Sequence, residues 1–207
     1  MGDGLAIVTL LWDANEEGYA FSSMYDESWV EKLCRGVRRH CTLPFEFICF
    51  TDRPRTFSEA VTQVQISSAR PSYADCIEPY RLGRPMILMG LDTVITGNID
   101  HLARYCLESH QLAVPRDPFF PETVCNGVAL VPAGQERVWH DWGGQNDMDW
   151  IRARKDLQVI DDLFPAHVVS YKGHVKSEGL GDARIVYFHG AEKPHELDHD
   201  WVKREWR

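Results

Sequence analysis

Hydrophobic positions along this chain fall into short continuous runs instead of an alternating pattern. The runs are "LAIVTLLW" (5–12), "FEFICF" (45–50), "VTQVQI" (61–66), "PMILMG" (85–90), "QLAVP" (111–115), "VCNGVALVP" (124–132), "HVVSYK" (167–172) and "ARIVYFHG" (183–190). A short continuous apolar run bounded by turn residues is typical of a strand that is covered on both faces, as in a largely parallel sheet. The pattern therefore predicts an α/β fold, with helices between the strands and on both faces of a mostly parallel central sheet.

A helix is predicted between the first two runs. Tyr25, Trp29, Leu33 and Val37 recur every four residues and mark one helical stripe, and basic residues crowd the end of the segment, where the helix dipole favours them. The run "LQVIDDLF" (157–164) has the spacing of a second amphipathic helix. The acid- and glycine-rich stretch "GQERVWHDWGGQNDMDW" (134–150) is predicted to be a loop or broken helix over one sheet edge. With no linker and no repeat, residues 1–207 are interpreted as one domain.

Charge and composition exclude several classes of protein. The net charge of -9 argues against a general nucleic-acid binder, and the basic clusters "RGVRRH" (35–40), "RARK" (152–155) and "VKREWR" (202–207) are interpreted as solvated helix faces. The six cysteines form no CxxC pair and no zinc spacing, so we expect reduced core residues. The first residues lack the features of a signal peptide and no run is long enough for a membrane span, which favours a cytoplasmic protein.

The clearest candidate for chemistry is Asp92, which follows the apolar run "MILMGL". Ligands of open α/β sheets bind beyond the carboxyl ends of the strands, and an unpaired buried carboxylate is costly. A carboxylate at that place can hold Mg²⁺ or Mn²⁺ through its hard oxygen atoms. The structural alternative is an acid that forms a turn or caps a helix.

The segment "FHGAEKP" (188–194) is a second candidate. His189 can offer a ring nitrogen to a metal, Gly190 allows a ligand to approach the backbone, and Lys193 can provide a charge for phosphate. The alternative for the histidine is a structural role in the core.

Two further turns are weaker candidates. Asp52 in "CFTDRP" (49–54) follows the second strand, where an acid can meet a ribose or a base, and a simple turn before Pro54 is the alternative. Asn126 and Gly127 in "CNGV" (125–128) can bring backbone amides to a sugar, and a plain tight turn is the competing interpretation.

Taken in order, these segments resemble the GT-A glycosyltransferases, most closely the family 8-like group. The opening strand, helix and strand are similar to those of that group, "LMGLDTVITGNIDHL" resembles its metal-binding Asp-x-Asp segment, and "CNGVALVPAG" resembles its Asn-Ser-Gly-Val strand. "LQVIDDLF" is similar to its Asp-Gln helix, and "DARIVYFHGAEKPHEL" to its closing His-x-x-Gly-x-x-Lys-Pro segment. Two positions depart from the pattern, because Gly90 replaces the first acid of Asp-x-Asp and Leu157-Gln158 replaces Asp-Gln.

The resemblance implies a transferase that uses a nucleotide-diphosphate sugar, usually a uridine diphosphate (UDP) sugar, with Mn²⁺ or Mg²⁺. Residues 1 to about 100 would form the nucleotide-binding half, and about 101–207 the acceptor and closing half. Asp92 and His189 would be the metal ligands, and Asp92, Gln158 and Asp161 the catalytic residues. The residues implied to contact the nucleotide sugar are Thr9, Leu10, Leu11, Trp12, Asp52, Arg81, Asn126, Gly127, Gly190 and Lys193.

The acceptor stays open at this stage. A surface glycan is the common acceptor of the group, and a modified base of phage DNA is a second hypothesis. A sugar-nucleotide-binding protein without turnover is an alternative from another class, favoured by Gly90 and Leu157. A nucleotidyltransferase is a third hypothesis, disfavoured because "LLWDANEEG" after the first strand is acidic where a basic glycine-rich loop would be expected.

Overall fold

A seven-stranded sheet forms the centre of the protein. The computed structural model describes residues 4–17 and 20–207. The strands stand in the order β3-β2-β1-β4-β7-β6-β8, with bounds β1 Ala6–Leu11, β2 Glu46–Thr51, β3 Thr62–Gln65, β4 Met86–Met89, β6 Ala113–Val114, β7 Val128–Val131 and β8 Gln158–Val159. Pairing is parallel from β3 through β4 and between β6 and β8, whereas β7 is antiparallel to both β4 and β6. The predicted α/β class with a mostly parallel sheet is confirmed.

A smaller sheet lies beside the first, with the order β5-β10-β9. Its strands are β5 Val94–Ile95, β9 Val168–Ser170 and β10 Ile185–Tyr187. β10 is parallel to β9 and antiparallel to β5. The carboxyl ends of β9 and β10 therefore point the same way, which brings Ser170 and the segment after Tyr187 close together.

Helices occupy both faces of the central sheet. They are α1 Glu27–His40, α2 Asp100–Glu108, α3 Arg137–His140, α4 Asp147–Ala153, α5 Ile160–Leu163, α6 Lys176–Glu178 and α7 Asp200–Glu205. A 3₁₀ segment runs over Tyr73–Leu82. β1 illustrates the two-sided burial, since Ile7 and Leu11 pack into one hydrophobic cluster and Val8 and Leu10 into another.

The predicted first helix is confirmed. α1 begins after Asp26, whose side chain accepts a hydrogen bond from the Ser28 backbone N–H at 2.9 Å and so satisfies one of the orphan donors at the helix start. Trp29, Leu33 and Val37 are buried along the predicted stripe, whereas Tyr25 precedes the cap residue Asp26 and lies outside α1.

The predicted helix over residues 157–164 is wrong for half of its length. Gln158 and Val159 form the short strand β8, which pairs with β6, and only one helical turn, Ile160–Leu163, follows. The backbone bonds that β6 offers at this sheet edge outweigh the weak helical periodicity of eight residues. Of the two alternatives predicted for the acid-rich stretch 134–150, a loop or a broken helix, the structure shows the broken helix, because α3 and the start of α4 lie within it.

All six cysteines are free thiols, and all but Cys76 are fully buried. Burial raises the pKa of Cys34 to about 11 and that of Cys49 to about 12. The predicted reduced core cysteines are confirmed. Within residues 4–17 and 20–207, no helix combines the length and the apolar character needed to cross a bilayer.

Candidate active site

A cavity of about 430 Å³ opens where β1, β4 and β10 end and where β7 begins. Because β7 runs antiparallel to β4, its first residues lie beside the last residues of β4. Its lining includes Leu10, Leu11, Trp12, Tyr25, Gly90, Asp92, Asp117, Phe119, Asn126, Gly127, Asp147, Tyr187, His189, Gly190 and Lys193. The cavity thus lies at the place where ligands bind in open α/β sheets.

Asp92 lies at the floor of this cavity and is 9% exposed. Its Oδ2 atom accepts hydrogen bonds from Lys193 Nζ at 2.5 Å and from the Tyr25 hydroxyl at 3.0 Å. Lys193 is itself only 2% exposed. Burial and the neighbouring Asp92 carboxylate raise the pKa of Tyr25, so this hydroxyl keeps its proton and remains a donor.

His189 lies on the same cavity, just after β10. Its Nε2 atom is 2.8 Å from Ser170 Oγ, and that hydroxyl also accepts a hydrogen bond from the Gly173 N–H at 2.9 Å. Burial and, secondarily, the positive charge of Lys172 lower the pKa of His189. The imidazole is therefore neutral at neutral pH.

Asn126 and Asp147 form a polar pair on another part of the cavity lining. Asn126 Nδ2 donates to Asp147 Oδ2 at 3.1 Å, and Asn126 Oδ1 is buried without a hydrogen-bond partner among the described residues. Burial raises the pKa of the Asp147 carboxyl. A Cβ atom at Gly127 would lie 2.8 Å from the ring of Tyr187, so glycine is required there by close packing.

Two exposed aromatic rings belong to the loop before β7. Phe119 is 51% exposed and Phe120 58% exposed, and Phe119 stacks edge-on against His189 with 5.4 Å between ring centroids. Lys172 Nζ lies 6.0 Å from the centre of the Phe119 ring. Asp117 fixes this loop by accepting hydrogen bonds from the backbone N–H groups of Phe119 and Phe120.

The residues predicted to hold the nucleoside are only partly brought together. Leu10, Leu11 and Trp12 line the cavity, whereas Thr9 is fully buried within β1. Asp52 lies outside the lining, where its carboxylate accepts hydrogen bonds from Arg55 and from the Asp13 N–H. Arg81 also lies outside and donates to Glu78 and to the Gln65 carbonyl.

Two of the predicted catalytic residues lie outside the cavity as well. Gln158 is on β8 and donates to Gln111 Oε1 at 2.7 Å. Asp161 accepts a hydrogen bond from the Arg116 backbone N–H at 2.8 Å. The remaining predicted residues, Asp92, Asn126, Gly127, His189, Gly190 and Lys193, all line the cavity.

The sequence interpretation missed Asp147, Tyr25 and Phe119. Asp147 directly follows Asn146, whose side chain caps α4 by accepting the Met148 N–H at 3.0 Å. An asparagine followed by two acids and then by apolar residues is a helix-start signal, and it could have located α4 inside the acid-rich stretch. Tyr25 had been assigned only to the buried stripe of α1.

The donor set does not fit a divalent-cation centre. Mg²⁺ and Mn²⁺ need several hard oxygen ligands, and within the described part of the chain no three His, Cys, Asp or Glu side chains form a group that could hold a metal ion. Asp92 is paired with Lys193, and His189 Nε2 is engaged by Ser170. The Mn²⁺ or Mg²⁺ site at Asp92 and His189 stays a prediction that this geometry does not favour.

Solved structures with the same fold are glycosyltransferases. The chain aligns over its full length with 65% of the glycosyltransferase GlyE of Streptococcus pneumoniae, at 12% identity and a TM-score of 0.60. In the alignment with the galactosyltransferase LgtC, 96% of this chain matches 93% of LgtC, at 11% identity and a TM-score of 0.53. In the alignment with the bifunctional glycosyltransferase WbbM, 94% of this chain matches 47% of WbbM, at 8% identity and a TM-score of 0.59.

The chain therefore spans just under two thirds of GlyE and about half of WbbM. Neither a protein-family model nor a curated protein sequence matches it. At these identities the likeness shows a shared GT-A-type fold.

Proposed function

We propose that this protein is a glycosyltransferase, which moves a sugar from a UDP-sugar to a hydroxyl group of an acceptor. The observation that carries the proposal is the cavity itself. In a GT-A-type fold, at the ends of β1, β4 and β10, it brings a buried cation, a polar pair and the exposed ring of Phe119 to one place.

The cationic side of the cavity suits the diphosphate of the donor. In the transfer, the bond between the anomeric carbon and the diphosphate oxygen breaks, and its electron pair stays on the diphosphate. The acceptor oxygen bonds to the anomeric carbon, and its hydroxyl proton passes to the departing diphosphate. Lys193, buried and held by Asp92, can stabilise the negative charge that develops on that leaving group.

The polar pair suits the sugar. The unpartnered Oδ1 atom of Asn126 can accept a hydrogen bond from a sugar hydroxyl, which would satisfy a buried acceptor. The Asp147 carboxylate can stabilise positive charge at the anomeric carbon as the transition state becomes oxocarbenium-like.

Leu10, Leu11 and Trp12 provide the apolar wall expected for a nucleoside. Phe119, half exposed at the cavity, offers a flat apolar face on which an acceptor sugar can stack. A surface glycan is the acceptor that we expect.

The test is UDP release from a panel of UDP-sugars, with and without candidate glycans, followed by phosphorus NMR. We expect release that is stimulated by an acceptor, and an Asp147→Asn variant at least about a hundredfold slower, as is typical when a group that stabilises charge in the transition state is removed. Asp149→Asn is the matched control, since Asp149 is exposed on the same helix and does not line the cavity.

Two results would contradict the proposal. UDP binding with neither transfer nor hydrolysis across the panel would make the protein a sugar-nucleotide-binding protein. Equal rates for Asp147→Asn and Asp149→Asn would remove Asp147 from the mechanism.

A further inference from the structure

The pair formed by Asp92 and Lys193 joins two segments of the chain on the cavity floor. Lys193 Nζ lies 2.5 Å from Asp92 Oδ2, and both residues are at least nine-tenths buried. Taking two charges out of water is costly unless each neutralises the other, so this contact holds both side chains in place. The Tyr25 hydroxyl donates to the same carboxylate oxygen and fixes its orientation.

Within residues 4–17 and 20–207, the ligands for a competing divalent cation are missing around this pair. Position 90, two residues before Asp92, is glycine and adds no carboxylate. Asp117 also lines the cavity, but its carboxylate binds two backbone N–H groups and Arg152. A cation at Asp92 would therefore meet a single carboxylate whose charge Lys193 already balances.

The positive charge that a diphosphate requires is present on lysine side chains instead. An ammonium group has three N–H donors, so Lys193 can hold Asp92 and meet a phosphate oxygen at the same time. Lys172 adds a second positive charge at the cavity rim, where it lies over Phe119 and acts on His189. Because the Lys193–Asp92 pair is neutral as a unit, Lys172 leaves this side of the cavity with one net positive charge.

From this arrangement we infer that Lys193 takes the place of the divalent cation, and that the protein binds its nucleotide diphosphate without a metal ion. The inference rests on the proposed function, because it concerns the diphosphate of the same donor. It reverses the metal dependence that the sequence resemblance implied.

The test is calorimetric titration of the whole chain with UDP, once in excess EDTA and once in excess Mn²⁺. We expect dissociation constants that agree within about threefold, less than the change that one charged hydrogen bond would cause. Titration with Mn²⁺ alone, followed by electron paramagnetic resonance, is expected to show no binding at the cavity.

Lys193→Met should weaken UDP binding in EDTA by about tenfold or more, the effect of losing one charge-assisted hydrogen bond. That variant leaves Asp92 buried without its cation, so the double variant Asp92→Asn with Lys193→Met is tested beside it, with the same loss expected. Lys203→Met is the matched control, because Lys203 is exposed on α7 and does not line the cavity.

Three other outcomes would each overturn the inference or a part of it. UDP binding that requires Mn²⁺ would overturn the inference and leave the proposed function intact. Unchanged binding in the double variant would overturn the role of Lys193. An absence of UDP binding under both conditions would overturn the inference together with the UDP-sugar donor.

Discussion

Asn126 Nδ2 lies 3.1 Å from Asp147 Oδ2 and joins the start of β7 to the first turn of α4. This hydrogen bond is the main compensation for a carboxyl that burial holds at a raised pKa. A raised pKa in the folded state means that the folded protein binds a proton more readily than the unfolded chain does. Asp147 therefore lowers stability progressively as the pH rises above the ordinary carboxyl value of 3.8.

Replacing Asp147 with asparagine should raise the melting temperature at neutral pH, by roughly 2–4 °C for each kcal/mol of relieved desolvation. The gain should vanish below the ordinary carboxyl pKa, where both forms are neutral. Thermal melts of wild type, Asp147→Asn and the exposed control Asp141→Asn across pH provide the measurement. A gain of equal size at low pH would show that the effect is unrelated to ionisation.

A metal site should be obtainable by restoring carboxylate ligands. A Cβ atom at Gly90 would lie 3.0 Å from Asp92 Oδ1, so a side chain there needs only a small movement of that carboxylate. We expect the double variant Gly90→Asp with Lys193→Met to bind Mn²⁺ at least about tenfold more tightly than Gly90→Asn with Lys193→Met, because affinity follows the charge count of the ligands. Mn²⁺ titration by electron paramagnetic resonance measures the difference, and equal affinities would contradict the expectation.

The pKa of His189 should respond to Lys172. Burial lowers this pKa first, and the nearby ammonium group lowers it further. Lys172→Met should therefore move the pKa of His189 upward, toward the ordinary value of 6.5, whereas Lys155→Met, at an exposed position, should leave it unchanged. NMR titration of the ring carbons, assigned with a His189→Gln spectrum, reports the shift.

The lowered pKa of His189 also makes the stability of the folded protein depend on pH. Because folding disfavours the protonated imidazole, His189 contributes stability above pH 6.5 that is lost as the pH falls through its folded pKa.

An unchanged NMR titration in Lys172→Met would mean that the two side chains are too well screened to interact.

Arg55 anchors the charged residues that follow β1 and β2. Its side chain is 1% exposed and donates to Asp13, Asp52 and Glu27. Arg55→Met should lower the free energy of unfolding by about 1.5–3 kcal/mol, because it removes charged hydrogen bonds to carboxylates that are themselves partly exposed. Arg53→Met should cost much less than Arg55→Met, since that side chain is half exposed although it also binds Asp13.

Urea unfolding distinguishes these two variants when both curves are fitted with the same dependence of the unfolding free energy on urea concentration. A loss of similar size in both would mean that the network is solvated like a surface ion pair. The same experiment on Asp52→Ala, combined with UDP binding, distinguishes a structural Asp52 from the nucleoside ligand that the sequence resemblance implied.

The sequence was sufficient to predict the strands around β1, because a short continuous apolar run indicates a strand that is buried on both faces of a sheet. It was insufficient for β8, since "LQVIDDLF" fits a strand and a helix equally well and only the pairing with β6 decides. That pairing joins Ala113 to Gln158, and such distant contacts are invisible in a local pattern.

The candidate site was partly predictable for the same reason. Asp92 and His189 follow apolar runs, so their position at the strand ends could be inferred. Their hydrogen-bond partners could not be inferred from the sequence. The contacts of Asp92 with Lys193 and of Asn126 with Asp147 depend on how the loops close over the sheet. Gly90 was the one local sign that the charge balance at Asp92 is unusual.

Because its cysteines are buried, we expect the native chain to react slowly with thiol reagents. Thiolates are the reactive species, and burial raises the pKa of the thiols at positions 34, 41, 49, 76, 106 and 125. A cysteine introduced at the exposed Glu122, in the loop that carries Phe119 and Phe120, would react with a maleimide dye before any native thiol. A fluorophore attached there would report on movement of the loop whose Phe119 lines the cavity.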